Sequence, residues 1–161
     1  MKIEEVKKKI RKSGVNTPKY RPERWKHAME AGCYPYAIDL FQNEFLLVGE
    51  LIGKACDNNV SNEQLISVLI EELNEVGYNV SEIEDVDEKV SSDELKIYLQ
   101  REEHTGYYHF LRQDEDGIWS HKFPKELPTR KDSLGNDITN PETMVESSFY
   151  GWCFKLKKRV S

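Results

Sequence analysis

The chain has 161 residues, 38% hydrophobic and 32% charged, with a formal net charge of -6, a length that fits one domain able to bury a real core. No run approaches the ~20 consecutive apolar residues of a membrane-crossing helix, and the charged start, Met1 to Lys12, lacks the apolar stretch of a secretory signal, so the expected location is the cytoplasm. The three cysteines are widely spaced with no Cys-x-x-Cys pair, which argues against a disulfide framework and against a structural zinc site.

In chain order, Ile3, Val6 and Ile10 recur at helical spacing over residues 2–12, with Gly14 as a stop. Pro18 and Pro22 make residues 17–24 an extended connector. Residues 25–31 read as a short helix ended by Gly32, and a second helix begins at Cys33, where Pro35 is tolerated in the first turn. Its apolar residues continue through Ala37, Leu40, Phe41 and Phe45, and Gly49 and Gly53 mark a break. The clearest helix covers residues 62–76, with Ser61 as N-cap, Gln64 completing a capping box and Gly77 as the stop. Beyond it the period becomes alternating. Residues 95–101, 106–113 and 118–123 read as strands, Asp114-Glu115-Asp116-Gly117 as a hairpin turn, residues 133–141 as a structured loop, and residues 149–156 as a last strand. Helices first and an antiparallel sheet after them make an α+β domain. Residues 1–24 are then a basic helix and connector, and residues 25–161 a single domain.

The charge is uneven. Lys and Arg outnumber acids over residues 1–27, whereas Glu71, Glu72, Glu75, Glu82, Glu84, Asp85, Asp87 and Glu88 crowd residues 63–94. A basic arm can bind phosphate, but no aromatic-interleaved groove or known motif accompanies it, which argues against nucleic acid as a partner. The two patches more simply face each other or solvate the surface.

Chemistry concentrates at Cys33. A thiol at a helix start faces unsatisfied N–H groups, which favour a thiolate and can hold a developing oxyanion. Cys56 and Cys153 read as small buried hydrophobes. If the turn at Glu115-Asp116-Gly117 has three residues, Leu111 faces His121 and His109 faces Phe123, so His109 and His121 become diagonal neighbours on one face. A two- or four-residue turn would separate them. One imidazole could then take the Cys33 proton while the other, or Asp114, orients it. His27 and His104 read as surface residues. A zinc site from His109, His121 and Asp114 lacks supporting spacing. Asp132, Asn136 and Asp137 suggest an Asx-capped turn rather than a calcium loop. No metal or cofactor is expected.

Four segments carry a family resemblance: Cys33-Tyr34-Pro35-Tyr36-Ala37, His109-Phe110-Leu111-Arg112-Gln113-Asp114, Trp119-Ser120-His121-Lys122, and residues 132–141. They resemble a family of bacteria and their phages that carries Cys-Tyr-x-Tyr-Ala, His-aromatic-x-Arg-Gln-Asp and Trp-Ser-His-Lys motifs. The chain departs from it at Gly32, where the family has asparagine, and at Pro35, where alanine is common. The order of helix-borne Cys and strand-borne His is similar to papain-like cysteine peptidases and amidases. The resemblance implies a papain-like fold, Cys33 as nucleophile, His109 as base and His121 or Asp114 as orienter. The expected activity is a thiol-dependent hydrolase or acyl transferase acting on a peptide, amide or ester. Tyr34, Tyr36, Tyr107 and Trp119 are the candidate substrate-binding residues. The rival expectation is a non-enzymatic binding protein, such as a phage or host-interaction factor, whose tyrosines serve a protein partner.

Overall fold

Ser61 starts the longest helix, and its hydroxyl accepts from the Gln64 N–H at 3.1 Å, as an N-cap should. The helix, α3 (Asn62–Val76), buries Leu65, Val68, Leu69, Leu73 and Val76 on one stripe and ends at Gly77. This computed structural model describes residues 1–12, 17–144 and 149–159. The other helices are α1 (Ile3–Lys12) and α2 (Cys33–Ala37), with 3-10 turns at Pro22–Ala28, Glu50–Ile52 and Pro141–Thr143. Gly14, the predicted stop of α1, lies outside the described residues. Val6 and Ile10 of α1 pack into the main core, and Lys7 reaches Glu75 of α3 at 3.4 Å. No described helix is long and apolar enough to cross a membrane.

The strands β1 (Tyr78–Ile83), β2 (Glu94–Glu102), β3 (Tyr108–Gln113), β4 (Trp119–Ser120) and β5 (Phe149–Lys158) form one antiparallel sheet in the order β1-β5-β2-β3-β4. The protein is therefore α+β. Central β2 is buried on both faces. Leu95, Ile97 and Leu99 point into the main core with the helices, Tyr98 into a second cluster with Leu111, Trp119, Ile138 and Cys153. A third cluster of Trp25, Ala28, Ala31 and Tyr36 anchors the segment that leads into α2.

Four expectations need correction. The proline connector is not extended throughout: Pro22 opens a 3-10 turn, since its fixed φ suits a first helical position. The helix from Cys33 stops at Ala37, and Asp39 takes a left-handed φ of 53° that turns the chain. The strand expected over residues 118–123 is only Trp119–Ser120; beyond a single bridge between His121 and Thr129 the chain leaves the sheet near Pro124, which has no N–H to give a ladder. Finally, β1 was not foreseen. Its acidic, half-exposed sequence shows no clean alternation, and pairing with β5 creates it.

The hairpin of β2 and β3 is pinned by buried Arg101. Its Nε donates to Gly106 O at 3.0 Å, and its two terminal nitrogens donate to Asn62 Oδ1 and Asn58 O, each at 3.1 Å. Gly106 has φ 75°, and a Cβ there would stand 2.0 Å from Asn58 O. Gly106→Ala should thus destabilise the fold by about 2 kcal/mol or more, through both backbone strain and a clash with main chain. Urea unfolding would show this as a lower midpoint at unchanged slope; an unchanged midpoint would refute it.

Candidate active site

The turn after β3 decides where the histidines go. Arg112 pairs with Ser120 and Gln113 with Trp119, and Asp114 N–H donates to Ile118 O at 2.9 Å. Gly117 sits at φ 87°, the left-handed position of a three-residue hairpin. His109 and His121 consequently share a face. Their rings meet with Nε2 of His109 2.8 Å from Nδ1 of His121, and His121 Nε2 lies 3.0 Å from Lys131 O.

These partners assign the tautomers of the neutral rings. A carbonyl can only accept, so His121 Nε2 carries a proton and His121 Nδ1 presents a lone pair. His109 Nε2 must then donate to it, which leaves His109 Nδ1 as the bare, basic nitrogen. That atom is buried with no hydrogen-bond partner. Burial, and next the neighbouring His121, pushes His109 down to about 3, so the ring is neutral at pH 7.

Cys33 and His109 line one small cavity of about 100 Å³, with Phe45, Tyr107 and Phe123 at its walls. They reach it from opposite sides. Tyr108 and Phe110 face α2 and the main core, so His109 between them leaves β3 on the other face. The cavity they share lies where β4, ending at Ser120, no longer pairs with β3. Among the described residues no hydrogen bond joins the Cys33 sulfur to His109. The thiol also differs from expectation. Burial pushes it up to about 11, against the lowering pull of the Phe110, Cys33 and Tyr34 backbone N–H groups. A helix of five residues, Cys33–Ala37, supplies too little dipole to outweigh lost hydration. At neutral pH the site therefore holds a thiol and a free base, not a thiolate and an imidazolium.

The other predicted residues divide clearly. Asp114 is buried away from the histidine pair, with Arg112 at 3.0 Å and Arg130 at 3.5 Å; burial raises its carboxyl, against Arg112, Ser120 and Arg130. It anchors the hairpin, and the ring that His109 Nε2 meets is that of His121. Tyr34 lines the cavity with its ring, but its hydroxyl donates to Glu72 at 2.7 Å. Tyr107 is half exposed at the cavity wall. Tyr36 and Trp119 are fully buried and do not line the cavity: Tyr36 bonds Ser120 at 2.6 Å, and Trp119 packs edge-on against Tyr98. Aromatic residues in paired segments near a thiol mimic a binding surface in sequence, whereas here packing consumes them. Cys56 and Cys153 are buried, and His27 and His104 exposed. The shared nitrogens of His109 and His121, and the arginines on Asp114, oppose a common metal site for the three. The loop at Asp132 is Asx-capped, with Leu134 and Asn136 N–H groups donating to Asp132 Oδ1 at 2.9 and 3.0 Å.

Two contributors, Lys122 and Glu72, had no role in the sequence reading, and the predicted partner of His109, Phe123, gains one. Phe123 stacks on His109 with centroids 4.6 Å apart and planes 9° apart. Lys122 is fully buried and donates to Met29 O at 2.9 Å, Phe123 O at 3.3 Å and Ala31 O, tying the residues before Cys33 to those after β4. Glu72 is fully buried behind Tyr34. The hairpin register had set Phe123 opposite His109, whereas nothing local marks Lys122 or Glu72 as buried.

By fold and site the chain is thus an α+β protein whose sheet edge brings a thiol and a bare imidazole nitrogen to one cavity. Among curated proteins it is similar to insoluble matrix shell protein 1 of Ruditapes philippinarum, 28% identical over 147 residues that span 86% of this chain and 90% of that protein. No family model matches the chain, and no solved structure does.

Proposed function

We propose that the protein is a thiol-dependent hydrolase or acyl transferase of papain-like kind, acting on an amide or ester. The observation that carries this is the buried Nδ1 of His109, without a partner, in the cavity that Cys33 lines. A buried polar atom left unpaired costs about 1–3 kcal/mol, and a base waiting for a proton is a physical reason to keep one. Cys33 Sγ attacks the carbonyl carbon as its proton passes to His109 Nδ1. The imidazolium gains support from His121, whose Nε2 is held on Lys131 O. Collapse of the tetrahedral species breaks the bond to the leaving group, which takes the proton from His109. Water then attacks the thioester, gives a proton to His109, and the acid departs as that proton returns to sulfur. An acceptor amine or alcohol in place of water makes the same sequence an acyl transfer. Because thiol and base are both neutral at rest, proton transfer accompanies attack rather than preceding it. Three free thiols suit a reducing compartment, and the proposed location is the cytoplasm.

Alkylation tests the proposal. Iodoacetamide should modify Cys33 before the buried Cys56 and Cys153, at a rate rising about tenfold per pH unit between pH 7 and 10, because the thiolate fraction grows that way below a pKa of about 11. Equal, slow labelling of all three cysteines, read by peptide mass, would remove the nucleophile.

A second reading, a non-enzymatic binding protein, is favoured by the lack of a hydrogen bond between Cys33 and His109 and by the likeness to a protein named for an insoluble shell matrix. Under it Phe45, Tyr107 and Phe123 form a contact surface for another protein, and substitution of Cys33 changes nothing.

A further inference from the structure

The cavity at Cys33 has a size and a polarity that restrict what it can hold. Its volume of about 100 Å³ is smaller than the ~150 Å³ that accepts a benzene ring, so it takes a group of about three or four heavy atoms. Its lining offers no free ammonium N–H. Lys122 is the lone charged liner, and its ammonium donates to the Met29, Ala31 and Phe123 carbonyls. The Tyr34 hydroxyl is committed to Glu72, and the Tyr108 hydroxyl donates to Cys56 O while accepting from Val48 N–H. Of the buried polar atoms left unpaired among the described residues, one belongs to a residue of its walls, Nδ1 of His109, which is only 7% exposed. An anion placed there would lose its hydration, and Lys122, whose three N–H donors are taken by those carbonyls, would have none left to give it. The rim carries three exposed aromatic rings, Phe45, Tyr107 and Phe123 at 52%, 48% and 36%, beside the uncharged amide of Asn58.

Phe45 lines the cavity beside the thiol. Its ring rests against Gly32, the residue before Cys33, so closely that a Cβ on Gly32 would lie 3.0 Å from Phe45 Cδ2. Because Phe45 is half exposed, it can be truncated without opening the core.

We propose that this cavity is the acyl pocket of the enzyme, selecting a compact, uncharged acyl group with Phe45 as the residue that limits its length. The proposal rests on the hydrolase reading. Acylation of Cys33 breaks the ester C–O bond, forms the thioester, and releases the alcohol portion with the proton that His109 took.

Two measurements on the full chain separate the proposal from the reading beneath it. First, the rates of Cys33 with neutral iodoacetamide and anionic iodoacetate are compared, each scaled to the chain unfolded in urea. The folded protein should favour the neutral reagent by about tenfold or more beyond the unfolded ratio; an equal ratio overturns the pocket. Second, Cys33 is offered the p-nitrophenyl esters of acetate, octanoate and succinate, with p-nitrophenolate release and intact mass as readouts. Acetyl transfer should exceed octanoyl and succinyl transfer by about tenfold or more, and Phe45→Ala should raise the octanoyl-to-acetyl ratio by about tenfold. Acylation that is equally fast with all three esters overturns the pocket while the hydrolase survives. Absence of acylation by any ester, with the neutral reagent still preferred, overturns the acyl role and the hydrolase together and leaves a neutral binding cavity.

Discussion

Cys33→Ala should abolish cleavage of p-nitrophenyl acetate, a loss of at least about 10³-fold in kcat/KM, while the fold survives. The rate argument is chemical: with sulfur gone, no acyl-enzyme can form, and only binding and any oxyanion contacts remain. The stability argument is structural. Cys33 is intermediate in overall exposure, and the change removes a single atom, its buried sulfur, at the start of a short helix, so it should cost about 1 kcal/mol. His109→Gln tests the same site from the other side. It keeps a polar group against His121 but removes the base, so acylation should fall by about 10²-fold or more, and the fall should be smaller at pH 10, where thiolate forms without help. Turnover that persists in Cys33→Ala, measured against a denatured control, would mean that the protein works by contact and not by covalent chemistry.

Glu72→Ala should produce the largest loss of stability of any single substitution at the site, about 3–5 kcal/mol. The Glu72 carboxylate is fully buried and accepts three hydrogen bonds: from the Tyr34 hydroxyl at 2.7 Å, Gly49 N–H at 2.9 Å and Leu51 N–H at 2.9 Å. Truncation strands the buried Tyr34 and Gly49 donors and frees the part-buried Leu51 N–H. It also loosens Tyr34, the neighbour of Cys33, so alkylation of Cys33 should quicken and lose selectivity. The pH dependence has a defined sign. Burial raises the Glu72 carboxyl above its ordinary 4.5, against the lowering bonds from Tyr34, Gly49 and Leu51. The folded state therefore binds this proton more tightly than the unfolded chain does. Glu72 contributes most below pH 4.5, and part of that contribution is lost as pH rises through the folded value. The gap between wild type and Glu72→Ala should be wider at pH 4 than at pH 7.5 in urea unfolding; a gap that widens toward high pH would show that the three hydrogen bonds outweigh burial.

Much of the frame was legible in the chain because it is set by local chemistry. Ser61, Gln64 and Gly77 bound α3 through capping and a left-handed stop, interactions that span a few residues. The register of the β3 to β4 hairpin followed from Gly117, since a three-residue turn needs a positive φ at its last position, and that register alone put His109 beside His121. By contrast, β1 has no local signal and exists because β5 pairs with it. The early end of α2 depends on Asp39, which contacts Arg112 at 3.2 Å, a partner far along the chain.

The sequence by itself determined an α+β protein, its best helix, the hairpin turn and, for a turn of three residues, the pairing of its two histidines, because turn geometry and capping act over a few neighbouring residues. Tertiary structure alone decided the state of the site. How deeply the Cys33 thiol is buried, which nitrogen of His109 stays bare, that Asp114 belongs to arginines, and that Tyr36 and Trp119 are core all depend on groups distant in the chain. Burial and partner choice fix ionisation and access, and neither can be read before the chain closes on itself.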